Sequence, residues 1–169
     1  MRIKTGLGVL TGLLCTGGAA NAATAVSNFQ VQLQIVAQCV INSTATLNFG
    51  SPGVLGGSGG TTNTDQTTTL AVQCTNTTPY DIGLDQGTTT GALVSQRLLL
   101  NSVTGETVNY NLYTDAPRSV IWGNTVSTNT VHATGTGSSV SYTIYGRVPP
   151  QSTPTPGNYT DTVTVTITY

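Results

Sequence analysis

The chain has 169 residues, enough for one domain with a hydrophobic core of its own. Hydrophobic residues make up 37% of it and charged residues only 7%, which excludes the high-charge, low-hydrophobicity composition of a disordered chain. The formal net charge of −1 offers no basic surface for nucleic acid, and no apolar run is long enough to span a bilayer.

The first 22 residues have the order of a secretory signal peptide. Arg2 and Lys4 form a basic start, residues 7–15 are a short apolar stretch, and Ala20-Asn21-Ala22 is a small-x-small cleavage site. We therefore predict a signal peptide over residues 1–22 and export of the remaining 147 residues. The exported part carries three arginines, no lysine and six acids, a net charge of −3.

Export decides how the three cysteines are interpreted. Cys15 lies in the predicted signal peptide, and lipidation there is the less favoured alternative because Gly12-Leu13-Leu14 before it is a poor lipoprotein signal. Cys39 and Cys74 remain, and cysteine pairs of exported proteins usually form disulfides. We predict a bridge between them, which chain-entropy arguments value at about 4 kcal/mol. Two buried free thiols are the alternative.

The stretch from Ser27 to Cys39 alternates between apolar and polar residues and predicts a strand with one buried face. Three glutamines, at positions 30, 32 and 34, point away from that face. The apolar positions are Phe29, Val31, Leu33 and Ile35. Periodicity alone leaves two interpretations open: the first strand of a complete sandwich, or a strand that fills a gap in another copy of the protein.

Short strand patterns, separated by turns rich in Gly, Pro, Asn and Ser, follow this stretch, and no segment has a helical pattern. We predict strands over residues 40–49, 67–74, 80–84, 97–101, 108–113, 120–122, 140–146 and 159–169. Residues 131–138 are expected to be irregular, and Trp122 to pack in the core or under a loop. This many short strands predicts an all-β sandwich.

Residues with potential chemistry do not form a recognisable active site. Gly56-Gly57-Ser58-Gly59-Gly60 matches the nucleophile-elbow pattern, but it lies in a Gly/Thr-rich loop instead of between a strand and a helix. His132 is the single histidine, and we expect it to be a loop histidine with no catalytic or zinc-binding role. Asp81 and Asp85 share a strand face, as outward-facing acids on antiparallel sheets often do. The sequence predicts no catalytic residue, metal site or cofactor, and hence not an enzyme.

Short motifs follow one another in a distinctive order over nearly the whole exported chain. In chain order they are the alternating strand before Cys39, Leu47-Asn48-Phe49-Gly50, Val72-Gln73-Cys74-Thr75, Tyr80-Asp81-Ile82-Gly83-Leu84, Arg97, Tyr110-Asn111-Leu112-Tyr113-Thr114-Asp115, Tyr145-Gly146-Arg147-Val148-Pro149 and Gly157-Asn158-Tyr159-Thr160-Asp161. In this order and spacing the sequence resembles spore coat protein U domains, the pilin type of the archaic, Csu-type chaperone–usher pili of Gram-negative bacteria.

The resemblance implies an incomplete immunoglobulin-like β-sandwich that lacks its final strand. In that family a periplasmic chaperone lends a strand to cover the gap, and an outer-membrane usher exchanges it for the N-terminal strand of the next subunit. Residues 23–37 would then be a donor strand and residues 38–169 the pilin domain. The closing strand would line the groove and meet the chaperone through Val163, Val165, Ile167 and Tyr169.

From the resemblance we expect a structural subunit, shaft or adaptor, of a pilus that polymerises head to tail on the cell surface and serves attachment and biofilm formation. Its partners would be other copies, neighbouring pilus subunits, the chaperone and the usher. One alternative is a spore or cell coat protein built from the same domain. Another is a secreted carbohydrate-binding sandwich that uses Trp122 and exposed tyrosines as a stacking platform.

Overall fold

A computed structural model of the chain describes residues 22–57 and 60–169. Residues 1–21 of the predicted signal peptide, and Ser58 of the nucleophile-elbow pattern, lie outside the described residues. Within the described part, no helix has the length and apolar character needed to cross a membrane. The chain divides into two compact units, one that ends at Gln34 and a second over Ile35–Tyr169.

In its described residues, 35–57 and 60–169, the second unit has eight strands and their connections, as the strand-and-turn composition of the sequence predicts. The strands are β1 (Cys39–Thr44), β2 (Thr64–Cys74), β3 (Pro79–Leu84), β4 (Arg97–Leu100), β5 (Thr107–Tyr113), β6 (Val131–Thr134), β7 (Ser139–Val148) and β8 (Val165–Thr168). Every pair is antiparallel. The all-β prediction is therefore confirmed.

The strands form two sheets, which pack together as the layers of an immunoglobulin-like sandwich. Of the strands in the described part of the chain, the larger sheet has five in the order β1-β2-β7-β5-β4, and the smaller has three in the order β6-β3-β8. In the described part of the chain β8 pairs with β3 alone, so its second edge has no neighbouring strand. The sandwich is therefore incomplete on the side of its closing strand.

The core comes from alternate positions of both sheets, because one face of each strand points inward. Leu70 and Val72 of β2 belong to the same hydrophobic cluster as Ile82 and Leu84 of β3, and all four side chains are buried. Burying an aliphatic side chain of this size contributes about 1.5–3 kcal/mol. The alternation that predicted Leu70, Val72 and Cys74 on one face is confirmed by the burial of all three.

Trp122 belongs to this core, as predicted from the sequence. Only 1% of its surface is exposed, and its indole Nε1–H donates to the carbonyl oxygen of Ile82 at 2.8 Å. A ring enclosed in this way cannot stack on a sugar. The structure therefore contradicts the carbohydrate-binding alternative as far as it relied on Trp122 as a platform.

The predicted disulfide is present between Cys39 and Cys74, with an S–S distance of 2.02 Å. The two cysteines are directly opposite each other, at the first residue of β1 and the last residue of β2. The bond therefore fastens the edge strand β1 to the sheet at the point where the chain enters the sandwich.

Five of the sequence predictions about strands need correction. The strand predicted over residues 40–49 ends at Thr44, and residues 45–49 belong to no strand. Residues 131–134, expected to be irregular, form β6, because a half-buried Val131 and Ala133 alternate with exposed neighbours beside β3. Residues 120–122 form only an isolated bridge, between Ile121 and Tyr113. Among the residues that the structure describes, 27–38 join no β-ladder, and of 159–169 only 165–168 do so, apart from an isolated bridge at Thr160. Residues 27–38 and 159–169 thus have the period-two pattern of a strand, but in the described part of the chain they lack neighbouring strands along all or part of their length.

Candidate functional site

An open groove of about 340 Å³ runs along the unpaired side of the closing strand. One wall is the segment that continues β1, including Leu47, and the other is the segment that leads into β8, including Val163 and Val165. We call this space the acceptor groove. It lies where a further strand of the sandwich would be.

The floor of the acceptor groove is the hydrophobic core itself. Leu84 of the small sheet and Leu112 and Ile144 of the large sheet line it, and all three are otherwise buried. The groove therefore opens between the two sheets. An apolar side chain inserted there would contact both layers and gain the free energy of core burial.

The first wall is held in place by packing more than by pairing. The last backbone hydrogen bond from this segment to β2 runs from Ala45 N–H to Thr69 O at 3.3 Å. Beyond it, Leu47 and Phe49 lie over Gly146 of β7, where a β-carbon would collide with the Leu47 side chain and lie 2.9 Å from Phe49 Cζ. Glycine at position 146 is thus what lets the wall approach the sheet.

The second wall has a free backbone edge. Asp85 N–H donates to Thr164 O at 3.1 Å, which fixes the hydrogen-bonded positions of this strand pair. Because successive residues of an antiparallel strand direct their N–H and C=O groups to opposite sides, Val165 and Ile167 direct theirs away from β3. Those unpaired groups make the edge ready to bind another strand.

The structure brings some of the predicted groove residues together and not others. Val163 and Val165 line the groove, while Ile167 is half-buried against the core and the threonines between them are exposed. Tyr169 lies beyond the end of β8, is 59% exposed and is not part of the lining. Leu47 was not predicted to line the groove, although the sequence analysis had noted its motif.

The alternating N-terminal stretch exposes its apolar face. The exposed fractions are 87% for Phe29, 82% for Val31, 88% for Leu33 and 76% for Ile35. Four large apolar side chains on one side of the segment form an exposed hydrophobic surface. Such surfaces usually mark an interaction site.

Hydrogen bonds to Thr75 fix the chain between this stretch and β1. Gln38 N–H donates to Thr75 Oγ1 at 3.1 Å, Thr75 N–H donates to Gln38 O at 2.9 Å, and the Thr75 hydroxyl donates to Val36 O at 3.2 Å. Together with the adjacent disulfide, these bonds hold residues 36–39 in one position at the edge of the sandwich.

Arg97, at the start of β4, is fully buried and supports the groove floor from beneath. Its guanidinium donates to Leu84 O at 2.9 Å, to Asp85 O at 2.7 Å and to Trp122 O at 2.8 Å. It also donates to Asn111 Oδ1 at 2.7 Å and to a loop carbonyl. Burial lowers the pKa of Arg97, and nearby acidic groups oppose that effect. This side chain ties the end of β3 to β4 and β5.

Asp161 lies at the rim of the acceptor groove and accepts four hydrogen bonds. Its Oδ2 accepts from the Tyr110 hydroxyl at 2.7 Å, and its Oδ1 accepts from Thr88 N–H at 2.9 Å and from the hydroxyls of Thr88 and Thr89. Burial, together with the hydrogen bond to Asp161, raises the pKa of Tyr110. The phenol therefore stays neutral and acts as a donor.

The residues considered for catalysis are engaged in structural contacts. Asp81 accepts from the Thr130 hydroxyl at 2.7 Å and lies 3.2 Å from Nδ1 of His132, and these bonds lower the pKa of Asp81. His132 is on β6, not in a loop. Burial alone would raise the pKa of Asp85, but hydrogen bonds, including those from the backbone N–H groups of Thr164 and Gly87, outweigh it, so the pKa is lowered. In residues 22–57 and 60–169 no cluster of three or more His, Cys, Asp or Glu side chains could hold a metal ion.

Stability should fall when the pH drops below about 4, because hydrogen bonds hold the pKa values of several carboxyl groups below their ordinary range. The largest lowering effects are the bonds from Arg147 to Asp65, from Thr130 to Asp81, from Thr155 to Glu106 and from Ser119 to Asp115. A lowered folded-state pKa adds stability above the unfolded value, and this stability is lost as the pH falls through the folded value. The urea midpoint should be similar at pH 7 and pH 5 and clearly lower at pH 3; an equal midpoint at pH 3 would contradict the prediction.

Comparison with known proteins places the chain in a family. The family model described as "Spore Coat Protein U domain" matches residues 25–166. "Protein U" of Myxococcus xanthus is 35% identical over 178 residues, covering 99% of this chain and 98% of that protein.

A similar fold occurs in a solved structure, the chaperone–tip adhesion subunit pre-assembly complex CsuC–CsuE from archaic chaperone–usher Csu pili of Acinetobacter baumannii. The TM-score is 0.56 at 20% sequence identity, over 80% of this chain and 40% of that chain. At this identity the similarity shows the fold alone. Because the family model and Protein U both match nearly the whole chain, the resemblance inferred from the sequence is confirmed, and the chain belongs to the Spore Coat Protein U domain family.

Proposed function

We propose that the protein is a structural subunit of a chaperone–usher pilus that polymerises by donor-strand exchange. In each contact, residues 23–37 of one copy fill the acceptor groove of the next. The observation that carries the proposal is the coexistence in one chain of an unfilled groove beside a free strand edge and an exposed, alternating strand of the kind that would fill it.

The chemistry of the two surfaces is complementary. Phe29, Val31, Leu33 and Ile35 would enter the apolar groove, while the intervening glutamines would remain outside. Burying four such side chains contributes roughly 6–12 kcal/mol before the costs of ordering and association. The backbone of the inserted strand would also pair with the free edge of β8.

One donor strand and one acceptor groove per copy give a head-to-tail contact that does not close on itself. Such a contact extends into a filament. A chain of this design must be protected before assembly, because an open groove with an unpaired edge promotes aggregation. A periplasmic chaperone would cover the groove, and an outer-membrane usher would catalyse the exchange and deliver the fibre to the cell surface.

The comparisons support this role at the level of family and fold. The solved structure with the similar fold is a chaperone–pilus subunit complex captured before assembly. A pilin domain that carries its own donor strand fits a shaft or adaptor subunit. Attachment to surfaces and biofilm formation are the roles we propose for the fibre.

Introducing charges on the apolar face of the donor strand should abolish polymer formation. In a chain carrying Val31→Asp and Leu33→Asp, two carboxylates would have to enter an apolar groove without partners, at a cost of several kcal/mol each. Purified exported protein should then elute as a monomer by size-exclusion chromatography with light scattering, and electron microscopy should show no fibres. Deletion of residues 23–37 should have the same effect.

The matched control places the same charges on the other face of the same strand. Gln30→Asp with Gln32→Asp changes the net charge equally but leaves the apolar side chains intact, so this variant should still polymerise. Polymers formed by the Val31→Asp, Leu33→Asp chain at the parent's rate would rule out the donor-strand proposal.

A coat protein is the second candidate, favoured by the description of the matching family as a spore coat domain. The same strand exchange would then build a surface layer instead of a thin fibre. Electron microscopy of producing cells separates the two functions, because a pilus projects from the surface and a coat follows it.

A further inference from the structure

We propose that Asp161 and Asp85 are positioning residues that keep the acceptor groove open before a donor strand arrives. They hold the segment of residues 160–164, which we call the lead-in to β8. This inference rests on the proposed function and assigns a role in it to the carboxylates of both residues.

The lead-in crosses from one sheet to the other with little regular pairing of its own. At its start, Thr160 and Leu100 exchange two backbone hydrogen bonds of 2.9 and 3.0 Å at the edge of the large sheet. At its end, Thr164 O accepts from Asp85 N–H beside β3 of the small sheet. Between these two points the chain spans the opening between the sheets, and Val163 faces the groove.

Asp161 fastens the start of this crossing to the loop after β3. Its carboxylate accepts the backbone N–H of Thr88 and two loop hydroxyls, and it also accepts the hydroxyl of Tyr110 from the groove floor. Gly87 has a positive φ of 87°, and a β-carbon there would collide with the Asp161 carboxylate. The loop is thus shaped to receive this side chain.

Asp85 fastens the other end of the lead-in. Its Oδ1 accepts the N–H groups of Thr164 and Gly87, each at 2.9 Å. A single oxygen of Asp85 therefore binds both the loop, through Gly87, and the lead-in, through Thr164. With the Asp161 contacts, both ends of the span between residues 161 and 164 are tied to residues 85–89.

Without such ties, nothing on the groove side would hold Val163 and Val165 in place, because the strand that would pair with them is supplied by another copy. A free lead-in could collapse over the exposed floor or fray, and an arriving donor would have to order it. A wall that is already fixed removes that ordering cost and speeds productive binding. The two carboxylates supply this preorganisation.

The test measures donor capture by a full chain whose own donor is disabled by Val31→Asp and Leu33→Asp. The probe is a fluorescent synthetic peptide with the sequence of residues 23–37, and its binding is followed by anisotropy. Adding Asp161→Ala should slow capture about tenfold, as expected for the loss of preorganising hydrogen bonds. Asp161→Asn, which keeps an acceptor oxygen, should restore most of the rate.

Asp115→Ala is the matched control. Asp115 also accepts several hydrogen bonds in a loop, from Ser119 and Val120, but it does not line the groove. Its loss should change the capture rate less than about twofold. Hydrogen exchange without peptide should show faster exchange of the Thr164 N–H, which donates to Asp85 Oδ1, in Asp161→Ala and no such change in Asp115→Ala.

The outcomes separate the two hypotheses. If the Asp161→Ala chain captures peptide as fast as its parent, or if Asp115→Ala slows capture equally, the positioning role is wrong while the proposed function stands. If the parent itself captures no peptide, the proposed function is wrong. Should Asp161→Ala fail to fold, Thr88→Val with Thr89→Val removes only the two hydroxyl donors. This variant should slow capture by a smaller factor, and an unchanged rate would overturn the inference.

Discussion

Two variants that cannot polymerise alone should combine into a complex of two copies and nothing longer. One is the donor-deficient chain with Val31→Asp and Leu33→Asp; the other is the groove-deficient chain with Val165→Asp. In the second, a carboxylate on the groove wall would lose its hydration when a donor strand entered, weakening that contact by about 3–5 kcal/mol, or roughly a hundredfold or more. In a mixture, the intact donor of one chain can fill the intact groove of the other, after which no productive site remains.

Size-exclusion chromatography with light scattering measures the mass of each species. Each variant alone should elute as a monomer, and the equimolar mixture should elute as a dimer. Thr166→Asp is the control for the groove-deficient chain, because Thr166 is exposed on the other face of β8. That variant should polymerise like the parent. Long polymers in the mixture, or polymerisation of Val165→Asp alone, would show that the groove beside β8 is not the site at which copies join.

The parts of the fold that were predicted correctly are those with a local sequence signal. Period-two alternation identified the buried face of β2 through Leu70 and Val72, and it identified Val163 and Val165 on the closing strand. The disulfide was predicted from the cysteine count and the signal-peptide pattern. Each of these features depends on neighbours in sequence or on the cellular compartment, so the sequence alone could predict them.

The groove could not be derived from local patterns because its lining is assembled from distant parts of the chain. Leu47, Leu84, Ile144 and Val163 come from four separate segments. Alternation indicates that a strand has a buried face, but it does not indicate which strand lacks a neighbouring strand. Only the resemblance to a family with an incomplete sandwich led to that expectation, and the observed strand order agrees with it.

The role of Arg97 was also beyond the reach of the sequence. An arginine before three leucines looks like the polar boundary of a short apolar strand. Arg97 is buried because folding places Leu84 of β3, Asn111 of β5 and Trp122 around its guanidinium, and these residues are distant from it in sequence. Asp161 is a similar case, since its partners lie 51 to 73 residues earlier in the chain.

Replacing Arg97 by methionine should destabilise the protein by about 3–5 kcal/mol, a large part of the stability of a domain of this size. Methionine fills a similar volume but donates no hydrogen bond. The carbonyl oxygens of Leu84, Asp85 and Trp122 would then remain buried without these donors. Urea unfolding followed by the fluorescence of Trp122 measures the change, and Trp122 reports on the affected region because its own carbonyl accepts from Arg97.

A second arginine provides the control that separates the effect of burial from the effect of charge. Arg147 forms a bidentate ion pair with Asp65 at 2.8 Å, but its side chain is 25% exposed, so Arg147→Met should cost only about 1 kcal/mol. Arg97→Lys should lie between the two, because an ammonium keeps the charge but cannot reach several carbonyls with the planar geometry of a guanidinium. If Arg97→Met is no more destabilising than Arg147→Met, the carbonyls around Arg97 must find other donors. Arg97 would then not be what holds the floor of the acceptor groove together.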